Sequence, residues 1–236
     1  MSIDSKEKNE GTNKLHKIKI NTPDTGYEPF PVYIINRSTY EALNFDPALG
    51  KPATISYKLT KAGTIRLRIA RRDNPGLILL TLLDWTEQPF GEHKVQWDGR
   101  DASGNIIDNK KILIHFDAKD QALGGKHREH DKLNCGDPKL IIKTNPETLR
   151  NIKGNLELRA SFSDGPDRIK WSSGCEVKYF IDYGLIKKEV FQKVQNEFSL
   201  VIDTSKLSAG EHLITVNISD MNDHVGTAGL RITVAG

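Results

Sequence analysis

Apolar residues in this chain recur at every second position over short runs, and no other feature restricts its fold so strongly. ATISYKL (53–59), TIRLRIA (64–70), LILLTLL (77–83), EHKVQW (92–97) and ILIHFDA (112–118) form a first series. KLIIK (139–143), NLELRASF (155–162), EVKYFIDYG (176–184), KKEVF (187–191), EFSLVID (197–203), EHLITVNIS (211–219) and GLRITV (229–234) form a second. Period two puts alternate side chains on opposite faces, the signature of strands. Turn residues punctuate the runs: Lys61-Ala62-Gly63 follows the first, and Asp73-Asn74-Pro75-Gly76 combines a preset φ with a residue that accepts positive φ. No apolar repeat of helical period and length competes over residues 50–120.

The expected fold is therefore all-β. A chain of 236 residues suits two domains, and about seven strands in about 100 residues is the count of an immunoglobulin-like (Ig-like) sandwich. We expect two tandem Ig-like β-sandwich domains. Residues 1–16 read as a flexible lead, 17–121 as the first domain, 122–138 as a Gly- and charge-rich linker and 139–236 as the second domain. The halves also echo each other: Gly91-Glu92-His93 and Gly210-Glu211-His212 each open an alternating strand followed by an Asp-rich turn.

Charge excludes one class of partner. Thirty-four Lys and Arg against 31 Asp and Glu leave +3, too little and too scattered for nucleic acid. The densest basic group is Arg66, Arg68, Arg71 and Arg72, whose first two members alternate with Ile65, Leu67 and Ile69 and are expected on the wet face of a strand. No apolar run reaches the roughly 18 to 20 residues of a membrane span, so no membrane insertion is expected. MSIDSKEKNEGTNK lacks the basic and apolar regions of a signal peptide, as in an intracellular protein or an exported one whose leader is gone.

The segment GEHKVQWDGRDASGN (91–105) ends a strand at Trp97 and passes straight into Asp, Gly, Ser and Asn. We read it as a tight connection, with Trp97 a core anchor and Asp98, Gly99, Ser103, Gly104 and Asn105 capping backbone groups. A calcium loop would need six or more oxygens and lacks the EF-hand order here. With TISYKLTKAGTIRLRI before it and ILIHFDAKD after it, the segment resembles the Ig-like domain named after the flagellar hook-capping protein (FlgD-type). The matching positions are Gly91, His93, Trp97, Asp98, Gly99, Asp101, Gly104 and Asn105. The resemblance spans about residues 40–121. It departs at Lys110-Lys111-Ile112, where that family commonly has Gly-x-Tyr, and it implies the fold without the flagellar role. VKYFID, FSLVIDTSKLSAGEHLITVNISD and GLRITV resemble bacterial Ig-like and cadherin-like modules, which serve as spacers, adhesins, sugar-binding domains or docking subunits.

Candidate chemistry is sparse. There is no GxSxG, GxxxxGK[ST], GxGxxG or CxxC, and His127-Arg128-Glu129-His130 is not HExxH; no enzyme activity is expected. Asp164, Asp167, Asp220 and Asp223 would gather at one end of the second sandwich as calcium candidates or as two polar loops, with no other cofactor expected. Cys135 and Cys175 would share that end too, open to one disulfide or two separate thiols. Tyr27, Phe30, Tyr33, Tyr40 and Trp85 lie outside the clearest core positions and are the candidates for partner binding, alongside a core-filling role. By elimination, the chain is expected to bind another protein or multiprotein complex as an accessory or assembly factor, periplasmic or otherwise exported. A glycan-binding or adhesive surface module is the alternative.

Overall fold

The computed structural model describes residues 32–39, 43, 45–107, 111–120, 136–163, 174–220 and 224–236. Thirteen strands run through them, with a 3-10 turn at Thr204–Lys206 and no α-helix among the described residues. In the first sandwich, β1 (Ile34–Ile35), β2 (Ala53–Leu59) and β5 (Gly91–Trp97) form one sheet in the order β1-β2-β5. β3 (Gly63–Arg71), β4 (Ile78–Gln88) and β6 (Ile112–Asp120) form the other in the order β4-β3-β6. The alternation sets the core: Ile55, Tyr57 and Leu59 of β2 meet Ile65, Leu67 and Ile69 of β3, with Trp97 beneath Phe45. Each such burial stabilises by about 1.5–3 kcal/mol.

The second sandwich sets β11 (Glu197–Asp203), β8 (Asn155–Phe162) and β7 (Leu140–Asn145), in that order, against β10-β9-β12-β13. These last are β9 (Cys175–Ile181), β10 (Gly184–Phe191), β12 (Gly210–Ser219) and β13 (Val225–Val234). All neighbours are antiparallel. Three strands facing four with consecutive hairpins and crossovers is an Ig-like arrangement. The fold class expected from the alternation is thus the one observed.

Two details differ from the sequence expectation. The run 176–184 is not one strand: Asp182 and Tyr183 take φ of 47° and 70° and form a two-residue hairpin loop between Ile181 and Gly184. The usual Asp-Gly signal is displaced, with Tyr183 in the second position, so sequence alone runs the strand through. Arg66 and Arg68 are not on a wet face. Each is only 3% exposed, Arg66 pairing with Asp117 at 2.8 Å and Arg68 with Asp137 at 2.5 Å. Alternation places them on the outer face correctly; other parts of the chain then cover that face.

The second sandwich does the same. Every residue of β12 from His212 to Ile218 is buried. Ile214, Val216 and Ile218 face its own core, whereas Asn217, on the opposite face with the buried Thr215, bonds Ile78 of the first sandwich. Phe180, on the outer side of β9, joins the first sandwich's core cluster, and Val225 packs on Ala70 and Ile78.

Candidate functional site

The WDGRDASGN loop is built from the turn chemistry its residues suggest. Trp97 Nε1 donates to the Arg100 carbonyl (2.9 Å) and the Arg100 N–H to Asp98 Oδ1 (3.0 Å). Asp101 Oδ1 accepts from the backbones of Ser103 and Asn105 at 2.9 and 2.8 Å. Gly99 has φ of 80°, and a Cβ there would stand 2.5 Å from Pro47, so only glycine fits.

The loop has a second task that its sequence does not announce. Ser103 Oγ accepts the Gly229 N–H at 2.8 Å, and Arg231 Nη2 donates to the Ile106 carbonyl at 2.6 Å. Gly229 lets the loop approach: a Cβ would lie 2.7 Å from Asp101 Oδ2. The turn is a clamp between the sandwiches.

Two further polar contacts hold the same junction. Asn217 acts as a peptide group in side-chain form: Oδ1 accepts the Ile78 N–H and Nδ2 donates to the Ile78 carbonyl, both at 2.9 Å. Thr227 Oγ1 donates to that carbonyl as well (2.9 Å). Asp137 takes the Arg68 guanidinium through both oxygens, the Thr81 hydroxyl at 2.6 Å and the Val225 N–H at 2.8 Å. At the hairpin loop, Arg71 stacks on Tyr183 at 3.9 Å and Asn74 donates to its carbonyl.

Ser208, His212 and Asp182 have the composition of a nucleophilic triad, and their geometry is structural. His212 Nδ1 lies 2.6 Å from Asp182 Oδ2, but Nε2 lies 2.9 Å from the Ser208 carbonyl and 3.5 Å from its hydroxyl. A nitrogen donating to a carbonyl has no lone pair for a serine proton. The Ser208 carbonyl first, and the Asp182 carboxylate second, raise the imidazole pKa above 6.5. The protonated ring is therefore favoured in the folded chain. Its contribution to stability is complete below about pH 6.5 and is lost as pH rises through the raised folded value. His212→Gln is expected to flatten unfolding free energy against pH above that point, checked by urea titrations; an unchanged slope contradicts the assignment.

Among the described residues no three His, Cys, Asp or Glu side chains converge as a metal set. Of the calcium candidates, Asp220 is buried and spends its two oxygens on the His224 N–H (2.9 Å) and Nδ1 (2.8 Å). Asp164, Asp167 and Asp223 lie outside the described residues, as do His127, His130 and Cys135. Cys175 faces the core of the second sandwich, its thiol pushed up to about 11 by burial, and its candidate partner Cys135 lies outside the described residues.

Of the aromatic candidates, Tyr27, Phe30 and Tyr40 lie outside the described residues. Trp85 sits in a bulge of β4 with φ of 44°, a strained value for an aromatic. Its ring carries Lys119 Nζ at 3.6 Å and the Arg66 guanidinium at 4.6 Å, so cations occupy it. Tyr33 is 54% exposed and Phe90 65%. They flank one end of β2: Tyr33 and Thr60 exchange hydrogen bonds at 2.9 and 3.1 Å, and Gly91 pairs with Leu59. Phe90, which Lys58 approaches at 5.9 Å, completes a patch with Tyr33 that spacing alone does not reveal.

Fold and junction together define a tandem Ig-like β-sandwich protein. No family model matches the chain, and no curated protein matches it. Among solved structures, it is similar to an endo-β-1,4-mannanase from Thermotoga petrophila, at 13% identity over 48% of this chain and 22% of that one, TM-score 0.28. A CARDB domain from Pyrococcus furiosus, solved in complex with di-metal ions, matches at 15% identity over 42% of this chain and 88% of that one, TM-score 0.31. A Ca2+-stabilized adhesin that helps an Antarctic bacterium bind ice matches at 13% identity over 86% of this chain and 48% of that one, TM-score 0.27. Likenesses this slight leave function to the residues of this chain. No helix among the described residues is long and apolar enough to cross a membrane.

Proposed function

We propose that this chain is a non-catalytic binding module that serves as an accessory or assembly subunit of a larger exported or periplasmic protein complex. One observation carries the reading: polar bonds from Asn217, Asp137 and Ser103, the first of them buried, join the sandwiches. Surfaces on both halves are then held in fixed relation, which lowers the ordering cost of docking on a partner. The contact surface is the end of the first sandwich where Tyr33, Ile35 and Phe90 stand exposed around Thr60. Aromatic side chains presented on a rigid scaffold are the usual anchors of protein interfaces.

Photo-crosslinkers at Tyr33 and Phe90 of the full chain, in cell-envelope extract, are expected to capture one protein in stoichiometric yield. Tyr33→Ala with Phe90→Ala should cut its recovery on affinity beads at least about tenfold, since anchors of this kind cost about 2 kcal/mol or more each, with the melting temperature unchanged. Equal recovery without the two rings contradicts the surface. The same exposed rings favour a second reading, a carbohydrate-binding or adhesive module, in which they stack on sugar faces. Fluorescence changes with oligosaccharides in the absence of any captured protein would select it.

A further inference from the structure

β10 (Gly184–Phe191) is the terminal strand of its sheet and pairs with β9. Most of its side chains stand in water, with Leu185 51%, Ile186 47% and Val190 65% exposed, while Phe191 packs on the core. A strand in that position carries a row of outward N–H and C=O groups able to template another strand. Its residue order is chemically symmetric about Lys188: Lys187 and Glu189 flank it, then Ile186 and Val190, then Leu185 and Phe191.

In a two-fold antiparallel pair, residues equidistant from the axis face each other on the same side of the sheet. A second copy placed about Lys188 would set Lys187 against the copy's Glu189 twice, and Ile186 against its Val190 twice. Lysines on an edge normally guard it, because pairing would bury an uncompensated charge. Lys187 is compensated within its own strand, while Lys188 shares one carboxylate with Lys178 and would face its own copy on the axis, which weakens the pairing. Lys187 Nζ lies 2.9 Å from Glu189 of its own strand, and Lys188 ion-pairs with Glu176, which also holds Lys178 at 2.6 Å. The register shift between Leu185 and Lys187 limits the regular ladder to about Lys187–Glu189, with Ile186 and the copy's Val190 as an apolar flank at each end.

We propose that β10 is a self-association edge, through which two copies of this chain join antiparallel about Lys188 and merge their four-stranded sheets into one. It lies on the second sandwich, away from the Tyr33 and Phe90 patch, and does not depend on the function proposed above. A ladder this short makes a weak, reversible dimer, with Kd on the order of 10–100 μM.

Sedimentation equilibrium of the full chain at low salt, from about 1 μM to 1 mM, is expected to show a monomer–dimer equilibrium in that range. Lys187→Glu and Glu189→Lys should each be monomeric throughout, because like charges then face across the axis. An equimolar mixture of the two variants should dimerise again, as should the Lys187→Glu, Glu189→Lys double variant. Val190→Lys, at a position outside the core, should weaken the dimer at least about tenfold with an unchanged melting temperature. Wild type that stays monomeric to 1 mM, dimers indifferent to Val190→Lys, or folded charge variants that do not rescue each other would overturn the proposal.

Discussion

Asp137→Ala is expected to lower unfolding free energy by about 3–5 kcal/mol, the range found when one partner of a buried ion pair is removed. Three groups lose the Asp137 carboxylate together: the buried Arg68 guanidinium, the Thr81 hydroxyl and the Val225 N–H. Arg68 is 3% exposed, so water cannot replace the carboxylate without opening the junction. Asp137→Asn keeps an oxygen for Val225 and Thr81 and should cost less than alanine. Urea denaturation followed by tryptophan fluorescence and by circular dichroism measures both. A loss below about 1 kcal/mol for alanine would mean that the junction opens at little cost. The two probes should also fall out of register in that variant, since the sandwiches would no longer unfold as one unit.

Asn217→Ala is expected to cost about 2–4 kcal/mol, because it strands the Ile78 N–H in a buried setting and takes one of two donors from its carbonyl. Thr227 still serves that carbonyl, which holds the figure below the sum for two fully orphaned groups. Asn217→Leu fills the volume without restoring either bond, and should be no more stable than alanine if hydrogen bonding, not packing, dominates. Recovery of wild-type stability in the leucine variant would reverse that conclusion. Asn217→Asp retains the acceptor for the Ile78 N–H but sets a carboxylate against the Ile78 carbonyl, and should rank lowest of the three near neutral pH.

The residues facing each core were legible because their signal is local. In β2 and β3 the inward set, Ile55, Tyr57 and Leu59 with Ile65, Leu67 and Ile69, follows from a period of two and from nothing distant. The turn at Asp98–Asn105 was legible for the same reason: its bonds link residues at most a few positions apart. The Asp182-Tyr183 hairpin was not, since Tyr183 is poorly suited to positive φ and its carbonyl and ring are held by Asn74 and Arg71. The Tyr33 and Phe90 patch was half legible. Tyr33 is conspicuous as an aromatic outside the alternation, while its closeness to Phe90 depends on β1 and β5 both flanking β2.

Sequence by itself determined that this chain is built of strands, which faces of them turn inward, and where the turns with local signals, such as Asp98–Asn105, fall. Tertiary structure alone decided what covers the outward faces. Arg66, Arg68, Thr215 and Asn217 occupy outward positions in their strands, and all four are buried. A polar residue at an outward position has the same alternation whether water or a second sandwich lies against it. Only the approach of Asn217 to Ile78, 139 residues apart, makes the difference: there the cost of removing polar groups from water is offset by bonds that no local pattern encodes.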